Sequence, residues 1–81
     1  MKTKKSEPRP LYVIAADIKI NWKNIDPAAQ AYLEALQQLN TLDDIYLYES
    51  ADGIVRGFLA NASTWRGAEA RRIKEELNSM L

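Results

Sequence analysis

Phe58-Leu-Ala-Asn-Ala-Ser-Thr-Trp-Arg-Gly67 carries the end of one helix, a polar turn and the start of the last helix of this 81-residue chain. Phe58, Leu59 and Ala62 continue an apolar face. Asn61-Ala-Ser-Thr64 makes the turn, and Thr64 is a suitable N-cap for a helix running from Trp65 to about Met80. In that helix Ala70, Ile73, Leu77 and Met80 form an apolar stripe at helical spacing. The polar side offers Arg71–Glu75 and Arg72–Glu76 as i, i+4 pairs, with Glu69 also in reach of Arg72. Trp65 and Arg66 stand side by side where the two helices meet.

The helix before the turn starts at Ser50, another good N-cap, and spans 51–62 with Ile54, Val55, Phe58, Leu59 and Ala62 inward. Asp52 and Arg56 are spaced i, i+4 on its outer side. Gly53 and Gly57 are costly in a helix, each about 1 kcal/mol against alanine. Their spacing of four puts both on one side, which implies close approach of another helix. Upstream, Asp26 as N-cap and Pro27 at the first position open a helix over 27–39. Tyr32, Ala35, Leu36 and Leu39 make its buried stripe. Between the two, Thr41 can cap a short helix over 42–48, with Asp43 and Asp44 in its first turn facing the positive helix end. Leu42, Ile45 and Tyr46 would then point inward.

The stretch 10–23 allows two readings. Leu11, Ile14, Ile18 and Trp22 fall on one helical face behind Pro10, whereas Ile18, Ile20 and Trp22 alternate with polar residues as a strand would. A strand would have only Ile45–Glu49 as partner, and two short strands alone are marginal. Helix is therefore the expectation. Met1 to Arg9 is Lys-rich and lacks apolar periodicity, so it reads as a flexible basic arm. The expected architecture is an all-α bundle of four main helices plus one short one, at about 10–23, 27–39, 42–48, 51–62 and 65–80. Residues 10–81 form its single domain.

Composition narrows the function. At this length only about 60% of the unfolded surface can be buried, which sets a modest stability. The chain has no cysteine and no histidine, so thiol chemistry, thiolate zinc sites and the commonest general base are absent. No triad or Gly-rich phosphate loop occurs, and adjacent carboxylates on a helix point about 100° apart rather than at one atom. No catalytic set, metal site or cofactor is expected, and the chain reads as non-enzymatic. The eleven basic and eleven acidic residues balance but are unevenly placed, with 41–55 purely acidic and the two ends richer in bases. That pattern opposes a uniformly basic nucleic-acid binder. No apolar run approaches the roughly 18 residues of a membrane span, and the basic start lacks the apolar core of a signal peptide. A cytoplasmic protein with no membrane partner is the expectation.

Two sets of surface residues carry the functional readings. Tyr46, Tyr48 and Asp52 form an acidic, aromatic surface, to which Asn61, Trp65 and Arg66 are added as protein-interface candidates, because Trp and Arg are enriched at binding hot spots. For Trp65 a core role and an interface role both stand. The rival reading is a nucleic-acid module using Lys4 and Lys5 of the arm with Arg66, Arg71 and Lys74 of the last helix. Glu69, Glu75 and Glu76 on that helix oppose it.

Ile18-x-x-x-Trp22-Lys, Tyr-Leu-Glu-Ala-Leu at 32–36, Phe58 to Gly67, and Ala70-Arg-x-Ile-Lys-x-Glu-Leu77 together resemble a family of short proteins. These are encoded in phages, plasmids and integrative elements of bacteria, chiefly Firmicutes. The resemblance covers roughly 14–81, and Asn61–Gly67 is its most specific block. The family has no assigned activity, so it implies no catalytic residue. It implies a context instead: a small accessory protein of a mobile element. Together with the acidic Tyr46–Asp52 surface and the missing catalytic residues, that context makes a regulator or counter-defence inhibitor, occupying a host or element-encoded protein, the leading expectation.

Overall fold

Pro10, with no N–H to lose, stands as N-cap of α1 (Leu11–Asn21) in the computed structural model, which describes residues 8–81. Residues 11–21 are thus helical, not extended. Leu11, Ile14, Ala15 and Ile18 are buried, as is Trp22 just past the end. The first amides of α1 donate to carbonyls after the second helix, Leu11 N to Asn40 O and Tyr12 N to Leu39 O, both 2.9 Å. One helix start and one helix end thereby satisfy each other's orphan groups. In α2 (Pro27–Leu36) the Asp26 carboxylate accepts from Ala28 N at 2.9 Å. The helix stops three residues short of the expected 39, because Gln38 and Leu39 tighten into i→i+3 bonds. Leu39 stays buried beside Leu33 and Leu36.

The short helix expected over 42–48 is not there. Ile45–Tyr46 (β1) and Glu49–Ser50 (β2) pair antiparallel, Ile45 opposite Ser50 and Tyr46 opposite Glu49, around the two-residue loop Leu47-Tyr48. The Asp44 carboxylate, assigned above to a helix dipole, instead accepts from Asn40 N at 2.7 Å and Thr41 N at 3.1 Å. Those bonds close the approach to the hairpin, and Ala51 N to Asp44 O at 2.9 Å closes its exit. The Thr41 hydroxyl accepts from Asp43 N, a local turn rather than a helix cap.

Ser50 both ends β2 and caps α3 (Ala51–Ala60), its hydroxyl accepting from Gly53 N at 3.1 Å. Ile54, Val55 and Phe58 are buried on the expected face, and Ala62 beyond it. Gly57 meets the predicted close approach: a Cβ built there would overlap the Tyr32 ring of α2. Gly53 does not, since a Cβ there meets only ordinary contacts at 3.4 Å.

The last helix, α4 (Ala68–Met80), begins at Ala68 and not at Trp65; Gly67, not Thr64, is its N-cap. Two forces hold 65–67 out of the helix. Trp65 is drawn into the core, and Lys74 Nζ donates to its carbonyl at 2.7 Å. Gly67 then turns the chain at φ 111°, ψ 179°, a region essentially reserved for glycine. Gly67→Ala should therefore cost about 1–3 kcal/mol through backbone strain alone, because nothing lies within 4 Å of the added methyl. Gly53→Ala should gain up to about 1 kcal/mol from helix propensity. Urea midpoints of the two variants, moving in opposite directions, check both.

The core gathers one stripe from each helix around an aromatic group. Trp22 and Trp65 stack with centroids 5.2 Å apart and planes 9° from parallel, and Trp22 meets Phe58 edge-on at 6.1 Å. Among the described residues no polar side chain is buried. On the outside, Arg9 holds Glu76 through two bonds of 2.7 and 2.8 Å and reaches Asp17 at 3.2 Å. Arg9 was read with the arm; it is docked to α1 and α4. Its guanidinium pKa is raised, chiefly by the Glu76 hydrogen bonds. Arg72 pairs with Glu69 and Asp17. Neither i, i+4 pair expected within α4 forms: Glu76 is taken by Arg9, Arg72 turns to Glu69 and Asp17, and Arg71 and Glu75 form no ion pair among the described residues.

Candidate functional site

The hairpin loop lacks the Asn-Gly or Gly-x signal of tight hairpins, yet Leu47 takes φ +59°. Leu47 is alone in this among the non-glycine described residues, and for a bulky side chain the left-handed region costs about 1–2 kcal/mol. The positive φ at the first loop position is the pattern of a type II′ turn, where glycine is usual. Three large apolar side chains at this hairpin face water: Ile45 is 69% exposed, Leu47 77% and Tyr48 fully exposed. Ile45 thus points outward, against the expectation of an inward face.

Beside this tip lies a groove of about 480 Å³ between the hairpin and the helices. Ala31, Tyr32 and Ala35 of α2 form one wall, Tyr46 to Glu49 the other, and Ile54 the floor. Tyr46 is half-buried against the core, so the hairpin is anchored on one side and open on the other. Glu49 is the one charged residue lining the groove.

The sequence candidates separate in space. Tyr46 and Tyr48 come together at the hairpin. Asp52 sits in the first turn of α3, outside the groove lining, and pairs with Arg56 at 2.5 Å. Asn61 is spent on the helix end, its Nδ2 donating to Gly57 O at 2.8 Å. Trp65 is 4% exposed and serves the core, while Arg66 next to it is exposed. Ile45, Leu47, Tyr32 and Glu49 were missed as site residues.

The rival cationic face has less to offer. Arg66 and Arg71 line a smaller depression, about 360 Å³, along α4 and have no acidic partner among the described residues. Lys74, also on that depression, is engaged by the Trp65 carbonyl and lies 6.0 Å from its ring centre. Partial burial, followed by nearby Arg66, pushes its pKa below the usual lysine value. Glu75 shares the depression. Lys4 and Lys5 lie outside the described residues.

The remaining electrostatic feature supports the hairpin. The amides of Asn40 and Thr41 hold the Asp44 carboxyl below the usual carboxylate range. Among the described residues no group of three metal-ligating side chains occurs, and no helix is long and apolar enough to cross a membrane. No family model matches the chain, and no curated protein or solved structure matches it.

Proposed function

We propose that this chain is a non-enzymatic protein-binding accessory protein, and that the hairpin tip is its contact surface. In the mobile-element context implied by the resemblance, such a protein acts as a regulator or a counter-defence inhibitor by occupying a host or element-encoded protein. One observation carries the reading. Three large apolar side chains, Ile45 of β1 and Leu47 and Tyr48 of the loop, stand in water, and the backbone of Leu47 is strained there. Folding alone would favour a polar residue or glycine at Leu47, and strain of this kind concentrates where a ligand is engaged.

The test separates binding from folding. Leu47→Gly relieves the left-handed strain, so alone it should leave the melting temperature unchanged or raise it. Tyr48→Ser removes a side chain with no packing role. The double variant should keep the helical circular dichroism of the parent and lose capture of a partner that the parent retains from bacterial lysate. Arg66→Ser should retain that partner. Capture unaffected by the hairpin changes would sink the proposal.

The nucleic-acid alternative rests on the unpaired Arg66 and Arg71. It requires salt-dependent binding of duplex DNA that Arg66→Ser and Arg71→Ser abolish and the hairpin variant keeps.

A further inference from the structure

The groove beside the hairpin lies on the acidic half of the molecule. Residues 24–55, which supply α2, the hairpin and the first turn of α3, hold six carboxylates and no lysine or arginine. Within the described residues only Asp52 of these has a cation within ion-pair distance. Glu49 stands in the groove wall itself, while Glu34 of α2 is exposed outside the groove lining, where it accepts from Gln30 at 3.2 Å. The floor and most of the walls are apolar or aromatic. A ligand for this surface needs an apolar side chain to cover the Tyr32–Tyr46–Ile54 lining and cations to meet the unpaired rim. An acidic or phosphate-bearing partner would be repelled by every charge on that rim.

We infer that the groove receives a basic segment of a partner protein, in which lysine or arginine flanks a large apolar anchor. The inference rests on the reading of the hairpin as a protein-binding surface and adds the chemistry of the partner to it. The anchor fills the space between Tyr32 and Tyr46, and a flanking cation pairs with Glu49. Ile45, Leu47 and Tyr48 cover the segment from the hairpin side.

Peptides selected from a random library on the immobilised full chain supply the probe. The enriched sequences should combine Lys or Arg with at least one large apolar residue. The leading peptide should shift the amide resonances of Ala31, Tyr32 and Tyr46 and bind more weakly as salt rises. Glu49→Lys, a change at an exposed position, should weaken it by about tenfold. Enriched peptides that shift those resonances without a basic bias overturn the inference and leave the hairpin reading standing. Peptides that shift only the Arg66–Arg71 face overturn both. Failure to enrich any peptide overturns the inference, as does concentration-dependent self-association lost in Tyr48→Ser, which would assign the groove to a second copy of the chain.

Discussion

Trp65→Ala is expected to leave most of the protein unfolded at ambient temperature. Removing a buried tryptophan costs about 3–5 kcal/mol, and a domain of this size has about that much stability in total. The loss is large here because Trp65 lies outside any helix and still closes the core. It stacks on Trp22 at 5.2 Å, and Trp22 in turn meets Phe58, so one deletion exposes three elements. Trp65→Phe keeps part of the buried area and should fall between the two. Trp22→Ala should match Trp65→Ala in cost, and the double variant should cost less than the sum by about 0.5–1.5 kcal/mol, the worth of the stack. Urea titration checks all four, with stabilising solute added where the single variants are unfolded in buffer. An unchanged midpoint for Trp65→Ala would show that the stack does not hold the core.

That arrangement also explains why α4 starts late. A helix beginning at Trp65 would fix the indole by helical geometry. The observed backbone lets the indole reach Trp22, ties its carbonyl to Lys74 and turns at Gly67 before α4 starts. Core packing outweighs the capping preference of Thr64, and the glycine supplies the conformation that this requires. The hairpin is the converse case, where local bonds of Asp44 and Ser50 secure the base and leave the tip free of the core.

The helices were legible where their signals are local. Pro10 and the Leu11–Ile14–Ile18–Trp22 face, Asp26-Pro27, and Ser50 with its apolar face all act within a few residues, and they mark α1, α2 and α3. The hairpin was not legible, because Leu47-Tyr48 contains no turn residue and Asp43-Asp44 resembles a helix start. Only the long-range placement of Tyr46 against the core distinguishes strand from helix there. The start of α4 was half legible: Gly67 could have been recognised as a break, but Thr64 offered a competing cap. As for the site, Tyr46 and Tyr48 could be named from their acidic surroundings. Leu47, Ile45 and Tyr32 could not, since hydrophobic residues in sequence point to a core, and it takes the fold to leave them outside.

Gly57→Ala should destabilise the protein by about 1–3 kcal/mol, against the helix propensity that favours alanine in α3. The added methyl collides with the Tyr32 ring where α2 and α3 approach. That ring is a wall of the groove, so displacing it should also weaken any ligand held there. Truncating the ring separates steric conflict from propensity. In a Tyr32→Ala background the collision partner is gone, and Gly57→Ala should turn neutral or stabilising by up to about 1 kcal/mol. The substitution thus changes sign between the two backgrounds, a coupling that additive effects cannot produce. Equal costs in both backgrounds, measured by denaturation of the four proteins, would show that Gly57 is kept for some reason other than the approach of Tyr32.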